Sequence, residues 1–240
     1  MGVKHGLRKL FWKMGLDITR FIPNANPIAR RRQIFESYGI DLVLDIGANV
    51  GQFALQLRND MGYSKRIVSF EPLSSAFQSL KQSAKKDKDW QVFNYALGDS
   101  DGKATINISN NIQSSSVLEM LPAHLQAAPY SHYLGREEIE IHKLDSLFDR
   151  LSLGKGHIYM KMDTQGFESK VLKGAKKSLS KIGTIQMEMS LVPLYKNELV
   201  FSDLYPLMLA KGYSLISLEA GFTNNENGQL LQVDGIFHRL

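Results

Sequence analysis

Four acids stand where this chain has the means to do chemistry. Asp45 lies in "LVLDIGANVGQF" (42–53), two residues before Gly47 and six before Gly51, with Asn49 between the glycines. Glu71 precedes the proline that closes "IVSFEP", Asp163 ends "IYMKMD", and Glu188 sits within "IQMEMS". Glycines at Gly47 and Gly51 let backbone come close to a ligand, and a helix beginning near Gly51 turns its free amide groups toward it. A carboxylate beside such a turn attracts a cation and repels a diphosphate.

These residues need a frame that brings them to one edge. From residue 40 onward, strand-like and helix-like segments alternate. Strands are predicted at 41–46, 66–71, 90–97, 157–163, 182–190, 213–219 and 230–238. Helical patterns fall at 51–60, 73–86, 167–180 and 200–211. Short apolar runs between helices predict an α/β fold with a mostly parallel sheet and helices on both faces. In a doubly wound sheet a ligand lies beyond the carboxyl ends of the strands, where strand order reverses. Asp45, Glu71 and the stretch "NYALGD" (94–99) fall at three successive strand ends.

That order narrows the ligand. An acid at the end of the second strand is placed to hold both ribose hydroxyls of a nucleoside, and a nicotinamide dinucleotide uses one there as well. Asn94 and Asp99 suit an adenine edge. The acid before the first turn separates the two cases, because a dinucleotide turn spells G-x-G-x-x-G and lacks it. An amino-acid nucleoside with ammonium and sulfonium charges, S-adenosylmethionine, fits "DIGANVG" better. Taken singly, each residue also has an ordinary reading as a turn, cap or hydrogen-bonded acid.

Composition bounds the rest. The chain has 240 residues, 43% hydrophobic, and no cysteine, so disulfides, thiolate metal sites and thiol nucleophiles are absent. The net charge of +5 is uneven: residues 1–35 carry eight Lys and Arg against one acid, Asp17, while the remainder carries 21 basic and 23 acidic residues. In 4–22, apolar residues recur at three- and four-residue steps, predicting an amphipathic helix with a basic face that Pro23 and Pro27 end. It either packs on its own domain, meets a partner or docks on an anionic membrane surface. The division expected is an extension over 1–39 and one domain over 40–240. No stretch is apolar enough to span a bilayer, and the chain is expected in the cytoplasm, with peripheral contact at the inner membrane face through the arm. The body lacks the clustered basic footprint of a nucleic-acid binder.

Residues 98–143 break the alternation. "ATINIS" and "EIEIH" predict two further strands joined through the polar loop "SNNIQSSS", which holds Ser114, Ser115 and Ser116. The segment "LPAHLQAAPYSHYLG" carries His124 and His132 and has the character of a lid. A histidine from it could act as a base, although surface histidines are the commoner case.

Together "LVLDIGANVGQF", "VSFEP", "NYALGD", "SSSVLEM", "HKLDSLF", "MKMDTQGFESKVLKGA" and "GTIQMEMS" closely resemble the FkbM family of class I methyltransferases over residues about 40–240. The resemblance implies a Rossmann-like, seven-stranded, mostly parallel sheet with an antiparallel last strand. It implies S-adenosylmethionine as methyl donor and a hydroxyl on a sugar, polyketide or other small molecule as acceptor. Asp45, Gly47, Asn49 and Gly51 match the cofactor loop, Glu71 the ribose acid, and Asn94 with Asp99 the adenine region. Asp163, Gly166 and Glu168 match the K-x-D-x-x-G-x-E signature, whereas Thr164 and Gln165 occupy positions where the family varies.

Methyl transfer is an in-line displacement that depends on alignment and on removal of the hydroxyl proton. Asp163, as base or as ligand to a divalent cation, is the first candidate for contact with the acceptor, and Glu188 is its catalytic companion. Ser115 and Glu168 are candidates for acceptor binding. Pairing of Asp163 or Glu188 with Lys161 is the structural alternative. A nicotinamide-dependent oxidoreductase and a non-catalytic membrane-docking protein are the rival readings.

Overall fold

A computed structural model describes residues 8, 11–17, 20–154 and 156–239 of the chain. It divides into a unit Met1–Ser37 and a unit Tyr38–Leu240.

In the first unit, Arg8 and residues 11–13 are helical. The helix does not continue to Ile22. Gly15, at φ +73°, donates to Trp12 O and Leu16 donates to Phe11 O, at 3.0 and 2.9 Å, the paired bonds of a glycine-terminated helix end. Asp17 then accepts from Arg8 and Trp12. Pro27 opens a second helix, Pro27–Ser37, instead of ending the first. Proline is tolerated at a first helical position, and Asn26 Oδ1 caps it by accepting from Ala29 N at 3.0 Å. Residues 4–7, 9, 10, 18 and 19 of the predicted 4–22 helix lie outside the described residues, and 20–22 are not helical.

In the second unit, strands β1 (Leu42–Ile46), β2 (Arg66–Phe70), β3 (Trp90–Phe93), β7 (Ile158–Met162), β8 (Ile182–Ser190), β9 (Ser214–Ala220) and β10 (Gln232–His238) form one sheet in the order β3-β2-β1-β7-β8-β10-β9. The pairs from β3 to β8 are parallel, and β10 runs antiparallel to both β8 and β9. The last strand is therefore the antiparallel one, as the family resemblance implies. Helices Gln52–Asn59, Ser74–Ala84, Glu168–Gly174 and Phe201–Ala210 fall within the predicted helical stretches, but the one predicted over 167–180 ends at Gly174 and a separate 3-10 turn, Ser178–Lys181, follows. Every residue of β1 and β7 is buried, as strands covered on both faces must be. Leu44, Ile46, Val68, Phe70, Met160 and Met187 anchor the main core.

The insert forms its own sheet. Strands β4 (Ala96–Leu97), β5 (Gly102–Ser109) and β6 (Tyr133–His142) take the order β4-β6-β5. The predicted third strand, 90–97, is thus two strands in two sheets: the chain leaves the main sheet after Phe93 and joins β6 at Ala96. Ile106, Ile139 and Ile141 pack this small sheet on Leu73, Ala76 and Phe167, which explains the strict alternation in "ATINIS" and "EIEIH". Between β5 and β6 a short helix, Pro122–Ala127, carries His124.

Strand order reverses between β1 and β7. Connections from β1 run outward to β2 and β3, whereas β7 lies on the other side of β1. The crevice of the sheet is therefore at the carboxyl ends of these two strands.

Candidate active site

The loops leaving β1 and β7 meet closely. Asp163 N donates to Ile46 O at 3.0 Å, and Gly47 N donates to Phe70 O at 3.0 Å. A Cβ on Gly47 would lie 1.9 Å from Asp163 O, and Gly47 also sits at φ +77°. A Cβ on Gly51, at φ +95°, would meet the Trp90 indole at 2.8 Å. Both positions need glycine within the fold itself, since the missing side chains make room for the β7 loop and for Trp90.

Glu71 ties down the same loop. Its Oε2 accepts from Asn49 N at 2.7 Å and its Oε1 from Leu73 N at 2.9 Å. Burial pushes its pKa up to about 7. Asn94 donates from Nδ2 to the carbonyls of Glu71 and Pro72, at 3.0 and 2.9 Å, and so fixes the turn after β2. Asp99 lies apart from this group. It follows β4 of the small sheet and pairs with Lys170 at 2.9 Å, because the chain has already left the main sheet.

Asp45 has no exposed surface. Its Oδ2 accepts from Ser69 Oγ at 3.1 Å, and its Oδ1 has no hydrogen-bond partner. The cation facing it is Lys161, with Nζ 4.0 Å from Asp45 Oδ1 and 3.1 Å from Asp163 Oδ2. Burial works against the Lys161 charge, but Asp163 and Asp45 outweigh it and hold its pKa above the ordinary value. Burial in turn raises the pKa of Asp45.

Gln165 is the centre of the second half of the site. Its Nε2 donates to Asp163 Oδ1 at 2.8 Å and to Glu188 Oε2 at 2.7 Å. Its Oε1 accepts from the Tyr195 hydroxyl at 2.7 Å, and its carbonyl accepts from Ser116 Oγ at 2.7 Å. The residue stands at φ +53°, a strained setting for a side chain other than glycine. Glu188 Oε2 also accepts from Gln232 Nε2 at 2.9 Å. Burial, then the charge of Asp163, raises its pKa well above the carboxylate range.

Glu168 and Ser115 serve the local structure. Glu168 is buried, and its Oε1 accepts from both the amide and the hydroxyl of Thr164, at 2.8 and 2.9 Å. This closes the turn that presents Gln165. Burial pushes its pKa up to about 7. Ser115 Oγ accepts from Ser109 N at 3.0 Å and braces the insert. Its neighbours reach the site instead: Ser116 through Gln165, and Ser114 on the wall of a cavity of about 140 Å³ that His124, Gln165, Glu188, Phe222 and Gln232 also line.

A divalent cation does not fit these donors. Among the described residues no three His, Cys, Asp or Glu side chains stand together as ligands. Both Asp163 oxygens and Glu188 Oε2 take N–H donors, and Lys161 fills the cation position beside Asp163. S-adenosylmethionine fits better. The charges of Asp45 and Asp163 both act on Glu71, and that of Asp163 acts on Glu188. Lys161 is the ammonium among them, so the crevice favours a cationic ligand.

Sequence reasoning missed Gln165, Tyr195 and Gln232. Nothing in "DTQG" or "PLYK" marks them, because their partners come from β8, β10 and the insert.

The profile of the methyltransferase FkbM domain matches residues 45–215. The 2-O-methyltransferase NoeI of Sinorhizobium fredii (strain NBRC 101917 / NGR234) is 26% identical over 176 residues, 70% of each chain. The crystal structure of methyltransferase FkbM from Methylobacillus flagellatus KT superposes with a TM-score of 0.52 at 16% identity. That match covers 82% of this chain and 43% of the other, so this chain spans less than half of that protein's length. The profile extends from the acid of β1 into β9 and takes in the glycine loop, Glu71, Asp163, Gln165 and Glu188. The chain belongs to the FkbM family of S-adenosylmethionine-dependent methyltransferases.

Proposed function

We propose that this chain transfers the methyl group of S-adenosylmethionine to a hydroxyl oxygen of a carbohydrate or similar polyhydroxylated small molecule. One observation carries the reading: Asp163, at the end of β7, is joined through Gln165 to Glu188 on the wall of a polar cavity. The methyl donor supplies an electrophilic carbon. The loop of Gly47, Asn49 and Gly51, with Glu71 below it, holds the donor's nucleoside and amino-acid parts, and Asn94 shapes the adenine side. Asp45 balances Lys161 beneath the loop. Asp163 and Gln165 fix the acceptor oxygen at the crevice, and Glu188 meets the acceptor from the cavity wall. Alignment of oxygen, carbon and sulfur is the chief contribution of these residues. The 2-O-methyltransferase relative supports a hydroxyl acceptor, and the acid-rich crevice disfavours a nicotinamide dinucleotide.

Calorimetry and a methylation assay test this reading. Wild-type protein is expected to bind S-adenosylmethionine and to methylate members of a panel of methyl glycosides. Asp45→Ala is expected to lose donor binding; Asp163→Ala is expected to keep it and lose turnover. Tight binding of NAD with no binding of S-adenosylmethionine overturns the proposal.

The first unit supports a peripheral membrane role at the cytoplasmic face. Its side chains Trp12, Met14, Leu16, Phe21 and Ile22 are exposed within a segment rich in Lys and Arg, the pairing of apolar and basic groups that favours anionic bilayers. Among the described residues no helix is long and apolar enough to cross a membrane. Deletion of residues 1–35 is expected to abolish flotation with phosphatidylglycerol vesicles and to leave donor affinity intact. Unchanged flotation overturns this role.

A further inference from the structure

We propose that His124 is the base that takes the proton of the acceptor hydroxyl, from within the cavity that it lines with Gln165, Glu188, Gln232 and Phe222. The inference rests on the methyltransferase reading and names the one group in its chemistry still unassigned.

Asp163 holds an ammonium on one oxygen and an amide on the other. Glu188 lines the cavity, but its Oε2 already accepts from Gln165 and Gln232, and burial raises its pKa. Glu168 is spent on Thr164. Asp163 and Glu168 are thus engaged by donors of the protein itself, and neither lines the cavity.

His124 is 3% exposed, and its Nδ1 is buried without a hydrogen-bond partner. Its ring stands edge-on to Tyr195 and tilted against Phe222, each at 5.3 Å between centroids. Two aromatic walls hold the imidazole in one orientation, while the cavity face is polar. Glu188 and Tyr195 are the titratable groups beside it, on β8 and on the turn that follows, and burial raises the pKa of both. Burial also lowers the pKa of His124, so the ring is neutral, the form a base requires. His132, by contrast, is exposed.

The step balances. A lone pair of the acceptor oxygen forms the new C–O bond as the C–S bond breaks, and that electron pair stays on sulfur as a thioether. The hydroxyl proton passes to the imidazole and from there to water.

The test combines kinetics with a spectrum. Methyl glycosides of the common hexoses and 6-deoxyhexoses are the acceptors, with S-adenosylhomocysteine formation as readout. His124→Gln is expected to lower kcat about 10²–10⁴-fold, with donor Kd and acceptor KM within about threefold of wild type. Added imidazole is expected to restore activity to His124→Gly. A kcat for His124→Gln within about threefold of wild type overturns the proposal, as does a loss confined to KM. Nitrogen-15 spectra of histidine-labelled full-length protein provide the arm that needs no acceptor. A neutral His124 ring at pH 6 supports the assignment, and an imidazolium at pH 7 overturns it. If the wild type binds donor but methylates none of the glycosides, the carbohydrate reading falls, and the spectrum alone decides on His124.

Discussion

Asp163, just past the end of β7, and Glu188, on the neighbouring parallel strand β8, both accept from the same atom, Gln165 Nε2, at 2.8 and 2.7 Å. Two carboxylates facing each other in a buried site repel, and a shared donor with a proton on one of them relieves that repulsion. The amide that joins them is held in turn by Tyr195 and by its own backbone in a left-handed turn.

Gln165→Leu removes that donor and leaves the Tyr195 hydroxyl without its side-chain acceptor. A loss of about 1–3 kcal/mol of stability is expected, with acceptor turnover falling at least tenfold. Donor affinity is expected to hold, since no contact of Gln165 reaches the glycine loop. Urea unfolding and calorimetry check both parts.

Lys161→Met keeps the length of the side chain and deletes its charge. Asp45 and Asp163 then face each other uncompensated, and breaking a buried ion pair from one side costs about 3–5 kcal/mol. Denaturant unfolding is expected to show this loss. The double variant Asp45→Asn with Lys161→Met is expected to recover part of it.

Glu71 and Glu168 both have pKa values pushed by burial from 4.5 up to about 7. Between those values the native protein binds protons that the unfolded chain does not. Their contribution to stability is full below about pH 4.5 and is lost as pH rises through 7. Glu168→Gln is expected to flatten the decline of stability between pH 4.5 and 7, followed by thermal unfolding across that range. An unchanged slope refutes the assignment.

Gly47→Ala places a methyl group 1.9 Å from Asp163 O, at a φ of +77°. Neither the backbone carbonyl nor the torsion yields cheaply. The variant is expected to lose several kcal/mol or to open the loop, and in either case to bind S-adenosylmethionine at least 100-fold more weakly. Gly62→Ala, also at positive φ but with nothing within 4 Å of its Cβ, is the control. It is expected to cost stability and to spare binding.

The sequence by itself determined the order and kind of the elements. Buried strands such as β1 and β7 need unbroken apolar runs, amphipathic helices need their period, and the alternation in "ATINIS" and "EIEIH" marks a half-buried sheet. These are local consequences of burial, so they are written along the chain. Asp45, Glu71 and Asp163 were legible for the same reason, since an acid at the end of an apolar strand stands out from its neighbours. Position 27 misled because a proline ends a helix or begins one according to the cap before it, and Asn26 makes it a beginning.

Only the tertiary structure decided what those acids face. The partner of Asp45 and Asp163 is Lys161, and the partner of Glu188 is Gln165. The glycines of the first loop stand against Asp163 and Trp90. His124 is distinguished from the other histidines by enclosure between Tyr195 and Phe222, residues far from it along the chain. Charge compensation, desolvation and close approach depend on distances between segments brought together by folding. No local pattern of residue types encodes them.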